Sequence, residues 1–136
     1  MPAPAVSPFS YLILRVVPSV ERGERFNVGV VLFCRQLRFL GARVELDEAR
    51  LATLCPELGL ADLNAHLDAL ARVVAGAPEA GPIAALSQSE RFGWLAAPSS
   101  TIVQASEVHT GLCEDPGATL DGLFTRLVAP ATGGCA

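Results

Sequence analysis

The sequence predicts an α+β fold with a mostly antiparallel sheet of about five strands, a three-stranded meander plus a hairpin, and three helices packed on one face. Residues 11–17 and 26–34 are apolar at nearly every position, which is typical of central strands that are covered on both faces. A third strand, residues 37–44, follows so closely that an antiparallel connection is expected. Predicted strands and helices also occur in separate groups, whereas a parallel sheet would need them to alternate.

The three helices are predicted from caps and from apolar spacing. Asp47 is an N-cap for a helix that Pro56 ends, and Asp115 caps the last helix. Between them lies an amphipathic helix that Gly76 closes. Its apolar residues recur at spacings of three and four, which forms one stripe; they are Leu60, Leu63, Leu67, Leu70 and Val74.

The hairpin is predicted late in the chain. Residues 92–97 and 101–104 are interpreted as its two strands, because Pro98 and two serines between them are typical of a turn. Residues 105–115 are interpreted as a polar loop. The predicted domain spans residues 10–128, with a disordered lead-in at residues 1–9 and a flexible tail at residues 129–136.

Composition excludes several classes of protein. A chain of 136 residues with 51% hydrophobic residues can bury a core, which argues against global disorder. No apolar run approaches the length of a membrane span, and the N-terminus lacks the cationic start of a secretory signal. We therefore expect a cytoplasmic protein without a membrane segment. The four cysteines form no CxxC pair and there are only two histidines, so no metal site and no cofactor are predicted.

Charge is distributed unevenly along the chain. Residues 1–43 contain six arginines and two glutamates, a net charge of +4, whereas the remaining residues carry −8, which together give the total of −4. This asymmetry is typical of an interaction surface, but it also fits a basic sheet that faces acidic helices of the same chain. The pI of 5.1 makes nucleic-acid binding unlikely, because such binding depends on neutralising phosphates.

The stretch ERGERFNVG, which begins at Glu21, supplies most of the candidate site. Its candidates are Arg22, Glu24, Arg25 and Asn27, and Arg15 precedes them on the first strand. Glu24 could equally pair with a neighbouring arginine and fix the loop. Gly29 weakens a strand, so either a large ring such as Trp94 packs over it, or it forms the floor of a slot beside Asn27. His109, in the predicted loop, is the candidate acid or base.

The segment YLILRVVPSVERGERFNVGVVLFC resembles the bacterial family catalogued as domain of unknown function 3037. The residues that carry the resemblance are Tyr11, Arg15, Pro18, the Arg-Gly-Glu at 22–24 and the Asn-Val-Gly at 27–29. RFGWLAAPSSTIVQ and VHTGL, which contain Arg91, Trp94 and His109, resemble its C-terminal half. The resemblance adds Arg91 and Trp94 to the candidates. It implies no activity, but it implies a partner, because members are encoded beside a kinase-like protein of the HipA type.

Two functions follow as hypotheses. The first is a non-enzymatic interaction module that binds an acidic surface of a partner protein through the loop at Arg22 and Arg25. The alternative is a small enzyme or binding protein for a phosphorylated or nucleotide ligand. Its site would combine the arginines, Asn27 and His109. Arginines that line one cleft with His109 would favour the alternative, and arginines spread over a flat edge would favour the first. Apolar strand edges are compatible with a homodimer but do not require one.

Overall fold

A computed structural model describes residues 5–19, 21–22, 24–54, 59–98 and 102–129. These residues form an antiparallel sheet of five strands with four α-helices, which confirms the α+β class. The strands are β1 (Ser7–Ser19), β2 (Glu24–Cys34), β3 (Phe39–Val44), β4 (Val103–Ala105) and β5 (His109–Cys113). The helices are α1 (Glu48–Leu54), α2 (Leu60–Ala75), α3 (Gln88–Ala96) and α4 (Pro116–Leu127), and two 3₁₀ turns lie at Pro78–Ala80 and Pro82–Ala85.

The predicted meander is confirmed. β2 pairs with β1 on one side and with β3 on the other, both antiparallel. β1 begins at Ser7, so the last residues of the predicted disordered lead-in belong to the sheet. The predicted tail lies outside the described residues from position 130 onward.

The free edge of β1 pairs with two short strands in succession. β4 pairs with Leu14–Val16, and β5 pairs with Ser7–Tyr11. Ser106 joins the two ladders, because its Oγ accepts a hydrogen bond from the Ile13 N–H at 2.9 Å and its own N–H donates to the Ile13 carbonyl at 2.8 Å. The predicted hairpin is therefore wrong: β4 and β5 each pair with β1, and β5 lies in the predicted polar loop.

A β-bulge in β2 changes which residues share a face. The pairing moves from Leu14 with Gly29 to Arg15 with Asn27, which leaves Val28 without its own partner on β1. Phe26 and Val28 therefore point to the opposite side of the sheet from Val30 and Leu32. Simple alternation predicts all four on one face, and the extra residue is the reason that this prediction is wrong.

The helices cover both faces of the sheet. Helices α1, α2 and α3 pack over the side that carries Leu12, Leu14 and Val16. Helix α4 packs on the other side, against β2 and β3, where Leu120 and Leu123 meet Val30, Leu32 and Cys34. The expectation of three helices on one face therefore needs a correction: α4 occupies the second face. This arrangement explains why β2 is apolar at nearly every position.

The predicted caps are present, and one further cap explains a wrong prediction. Asp115 accepts hydrogen bonds from the N–H groups of Gly117 and Ala118 at 3.0 and 3.2 Å. Gly76 ends α2 in the left-handed region, at φ 70°. Residues 92–97, expected as a strand, instead lie largely within α3, which Ser87 and Glu90 start through a reciprocal capping box.

Candidate functional site

Arg15 and Arg25 reach the same exposed surface. Arg15 lies in β1 between Asn27 of β2 and Gln104 of β4, on the side of the sheet that carries α4. Helix α4 covers β2 and β3 and ends at Leu127, whose carbonyl accepts a hydrogen bond from Asn27 Nδ2 at 3.0 Å. Among the described residues, α4 makes its main contacts with β2 and β3, and Arg25 and Glu107 are exposed. We call the surface formed by Arg15, Arg25, Glu107 and His109 the arginine face.

Glu107 is the carboxylate of the arginine face, and its pKa responds to the neighbouring charges. Its pKa is lowered, first by a backbone hydrogen bond at Glu107 itself and then by the charges of His109, Arg15 and Arg25. The carboxylate Oε1 lies 3.6 Å from Nε2 of His109. The register of the strands fits this, because Arg15 pairs with Asn27 and Arg25 lies two residues from Asn27 along β2, so the two arginines lie on the same face of the sheet.

His109 lies in β5 and not in a loop. It pairs with Tyr11 of β1, and the two rings stack with their centroids 5.1 Å apart. The imidazole is half-buried, so stacking fixes its plane while Nε2 stays near Glu107. This geometry positions His109 at the rim of the arginine face.

The connection between β1 and β2 contains an ion pair. Nη2 of Arg22 lies 2.7 Å from Oε1 of Glu24, and the two side chains are 74% and 39% exposed. An ion pair at such exposure adds little stability.

Arg91 and Trp94 lie away from the arginine face. Both belong to α3, which packs on the opposite side of the sheet. Arg91 is buried, and its Nη1 donates to the carbonyl of Ala84 at 3.4 Å while its guanidinium packs against Gly76. Arg91 therefore connects α3 to the end of α2 and to the second 3₁₀ turn. Its predicted role in a shared arginine site is not supported by this position.

Gly29 forms neither of the predicted features. A Cβ at this position would lie 3.0 Å from the Arg43 carbonyl and 3.4 Å from Leu14 Cδ1, so the close neighbours are the adjacent strands. Asn27, the expected rim of a slot, points to the other face and binds Leu127. Because Gly29 has no side chain, the adjacent strands can approach closely at the bulge.

Trp94 borders a groove that sequence reasoning missed. Its side chain is 44% exposed and lies between two clefts of about 390 and 320 Å³, which both also contact His66 and Leu70. A third cleft of about 280 Å³ continues along β4 to Ser106 and Glu107. We call these three connected clefts the Trp94 groove. None of the three is lined by Arg15, Arg22, Arg25 or Arg91.

The sequence signals for the groove are a lone tryptophan in an apolar segment and a histidine beside the stripe of α2. His66 lies off that stripe, where a solvated side chain is predicted, yet it is half-buried in the groove. The pattern FGWLAA gave no sign that its tryptophan would be exposed, because the segment was expected to be a strand.

The buried thiols are not suited to nucleophilic chemistry. Cys34 and Cys113 are free and buried, and burial, followed by the neighbouring Cys34, raises the pKa of Cys113. A thiol with a raised pKa forms little thiolate at neutral pH. Within the described residues, no three His, Cys, Asp or Glu side chains come together as a metal site. No helix in this part of the chain is long and apolar enough to cross a membrane.

The comparisons with known proteins identify a family without an assigned activity. Neither the curated proteins nor the solved structures gave a match. A family model described as "Protein of unknown function (DUF3037)" matches residues 11–128, which is most of the chain. The protein therefore belongs to the DUF3037 family, as the resemblance of its first two strands predicts.

Proposed function

We propose that this protein is a small, non-enzymatic interaction module of the cytoplasm that binds an acidic surface of a partner protein through the arginine face. The observation that carries the proposal is the position of Arg15 and Arg25. Arg15 pairs with Asn27, Arg25 lies two residues from Asn27 on the same face of β2, and the charges of both arginines contribute to the lowered pKa of the exposed Glu107. An acidic side chain of a partner could take the place of Glu107 between the two guanidinium groups.

The shape of the surface supports a macromolecular partner over a small ligand. A ligand site normally encloses most of its ligand in a concave pocket. The arginines of the predicted site do not line any of the three clefts described above. Exposed charged side chains that lie outside these clefts, such as Arg25, instead suit contact with the surface of another protein.

The alternative function, an enzyme or binding protein for a phosphorylated or nucleotide ligand, receives less support. It needs Arg91 beside the other arginines, but Arg91 is buried on the opposite side of the sheet.

A kinase-like protein of the HipA type is the first partner to test, because the family resemblance implies such a neighbour. The two free, buried thiols fit a reducing compartment such as the cytoplasm. A homodimer would be a separate property of the strand edges, and the proposal does not depend on it.

The test is an affinity capture from the native cell, followed by a binding titration with the protein that is captured. Wild type is compared with Arg25→Glu and with a matched control, Arg50→Glu, which changes an exposed arginine on α1. Circular dichroism confirms that each variant is folded. We expect one partner to be retained by wild type and by Arg50→Glu, and to be lost by Arg25→Glu.

The salt dependence of the titration provides a second readout. Binding through exposed guanidinium groups should weaken as sodium chloride rises, because salt screens exposed charges. Equal capture by all three proteins, or affinity that does not change with salt, would contradict an electrostatic contact at the arginine face.

A further inference from the structure

The Trp94 groove and the arginine face share a residue. The cleft along β4 ends at Glu107, and this same carboxylate lies within the influence of Arg15 and Arg25. Arg15 also pairs with Gln104, which lines two of the three clefts, so the arginine face adjoins the groove at β4. We call the arginine face and the groove together the track.

Neighbouring clefts along the track share lining residues. The cleft at Glu107 and the middle cleft both contact Pro98, Gln104 and Ala105. The middle cleft and the one beside α2 both contact His66, Leu70 and Trp94. A series of connected clefts has the shape of an extended chain and not of a compact small molecule.

The chemistry changes along the track. Arg15 and Arg25 make the first part positive. The middle cleft contains no Asp, Glu, Lys or Arg, and its floor includes Leu14, Leu95 and Val103. Trp94 stands at its wall with almost half of its side chain exposed. Exposed tryptophan beside an apolar cleft is a common anchor point in protein recognition.

We propose that this track binds one extended segment of the partner protein, with an acidic residue at the arginine face followed by apolar residues that reach Trp94. The inference rests on the proposed function, since it names the part of the partner that the interaction module holds. The acidic residue meets Arg15 and Arg25. An apolar or aromatic side chain farther along fills the uncharged middle cleft and stacks against the indole.

The experiment uses the full chain and a phage-displayed library of random peptides of about twelve residues, long enough to extend past both ends of the groove. We expect enrichment of sequences that carry Asp or Glu ahead of apolar residues. A synthetic peptide of the enriched sequence is then titrated against the protein. Trp94 is the only tryptophan of the chain, so a shift in its fluorescence reports occupancy of the groove directly.

Two variants test the two parts of the track separately. Ala97→Glu places a carboxylate in the uncharged middle cleft, and Ser89→Glu, at an exposed position of α3 that lines none of the three clefts, is its matched control. Arg25→Glu reverses the charge at the other end. We expect Ala97→Glu and Arg25→Glu each to weaken peptide binding by about tenfold or more, which corresponds to the loss of one good anchor. Ser89→Glu should bind as wild type does.

The possible results separate this inference from the proposed function. If only Arg25→Glu weakens binding, the arginine face binds partners without the groove, and the inference fails while the proposed function stands. If only Ala97→Glu weakens binding, the groove binds the peptide without the arginine face, and the continuous track is wrong. If no sequence is enriched, or if Trp94 fluorescence does not respond to the peptide, the inference is overturned whatever the affinity capture gives.

Discussion

Leu14 and Arg15 are neighbours in β1, yet they belong to two surfaces with opposite chemistry. Leu14 points toward α1, α2 and α3 and forms part of the floor of the Trp94 groove. Arg15 points to the side of α4 and joins the arginine face, because α4 covers β2 and β3 but not the far edge of β1. The comparison teaches that the position of the covering helices decides which strand residues can remain charged.

The largest expected effect is a difference in the free energy of unfolding between variants of these two neighbours. Leu14→Ala removes a side chain that is only 3% exposed and leaves a cavity, so we expect a loss of about 2–5 kcal/mol. Arg15→Ala should cost less than about 1 kcal/mol, because its partners are solvated charges. Urea denaturation of both variants measures the difference. Similar losses in the free energy of unfolding would mean that Arg15 is needed for the stability of the fold and is not simply a surface residue.

The second prediction concerns Gly76, which supports the groove side through Arg91. Gly76→Ala puts a side chain at φ 70° and directly against the Arg91 guanidinium, so we expect a loss of about 1–3 kcal/mol. Gly122→Ala in α4 is the control, because a Cβ there meets no neighbour. It should gain about 0.5–1 kcal/mol from helix propensity. The melting temperatures of the two variants should therefore shift in opposite directions. A Gly76→Ala variant that is as stable as wild type would contradict the close packing of Arg91 against Gly76.

The third prediction tests Ser106, which connects the pairing of β4 with β1 to the pairing of β5 with β1. Ser106 Oγ accepts from the Ile13 N–H and donates to the Glu107 carbonyl at 2.8 Å. Ser106→Ala leaves a buried N–H of β1 without this acceptor, which should cost about 1–3 kcal/mol. Ser89→Ala, an exposed serine in α3, should change stability by less than about 0.5 kcal/mol. Equal midpoints in urea for the two variants would show that Ser106 does not hold the ladders together.

The smallest effect concerns the protonation of Glu107. Its pKa in the folded protein is lowered, so its stabilising contribution is present above the unfolded pKa and is lost as the pH falls through the folded pKa. Arg25→Ala should raise the pKa of Glu107 part of the way to its ordinary value. The backbone hydrogen bond, which is the largest cause, remains. Arg72→Ala on the groove side should leave the pKa unchanged. An NMR titration of the Glu107 carboxyl carbon measures both, and an equal shift in both variants would contradict the position given to Arg25.

The parts of the fold that follow local rules could be predicted from the sequence. The meander, α2 and the cap at Asp115 depend on the spacing of apolar residues and on one capping side chain. The segment after Ser87 was misread because FGWLAA is apolar enough for a strand. The sequence signal for the helix is the capping box of Ser87 and Glu90, which lies just before this segment.

The candidate site was harder to predict, because its members meet only through tertiary structure. Arg15, Arg25 and His109 share a surface since β5 pairs with β1, and that pairing joins residues far apart in the chain. His109-Thr-Gly-Leu-Cys113 has a glycine and a weak strand pattern, so no local signal marks it as β5. Arg91 and Trp94 lie on the other face because they belong to α3, a helix that packs there. A prediction of a strand for this segment could not place them on that face.

The hydrogen bonds between Ser106 and Ile13 also have a consequence for the order of folding. Ile13 and Ser106 are 93 positions apart, whereas the three strands of the meander are joined by short turns. The meander can form as soon as it leaves the ribosome, but the outer edge of β1 stays unpaired until residues 103–113 have been made. An unpaired edge invites pairing with other chains, and the arginine face and the Trp94 groove form only when it closes. Under the proposed function, a partner would therefore bind only those molecules that have completed their folding.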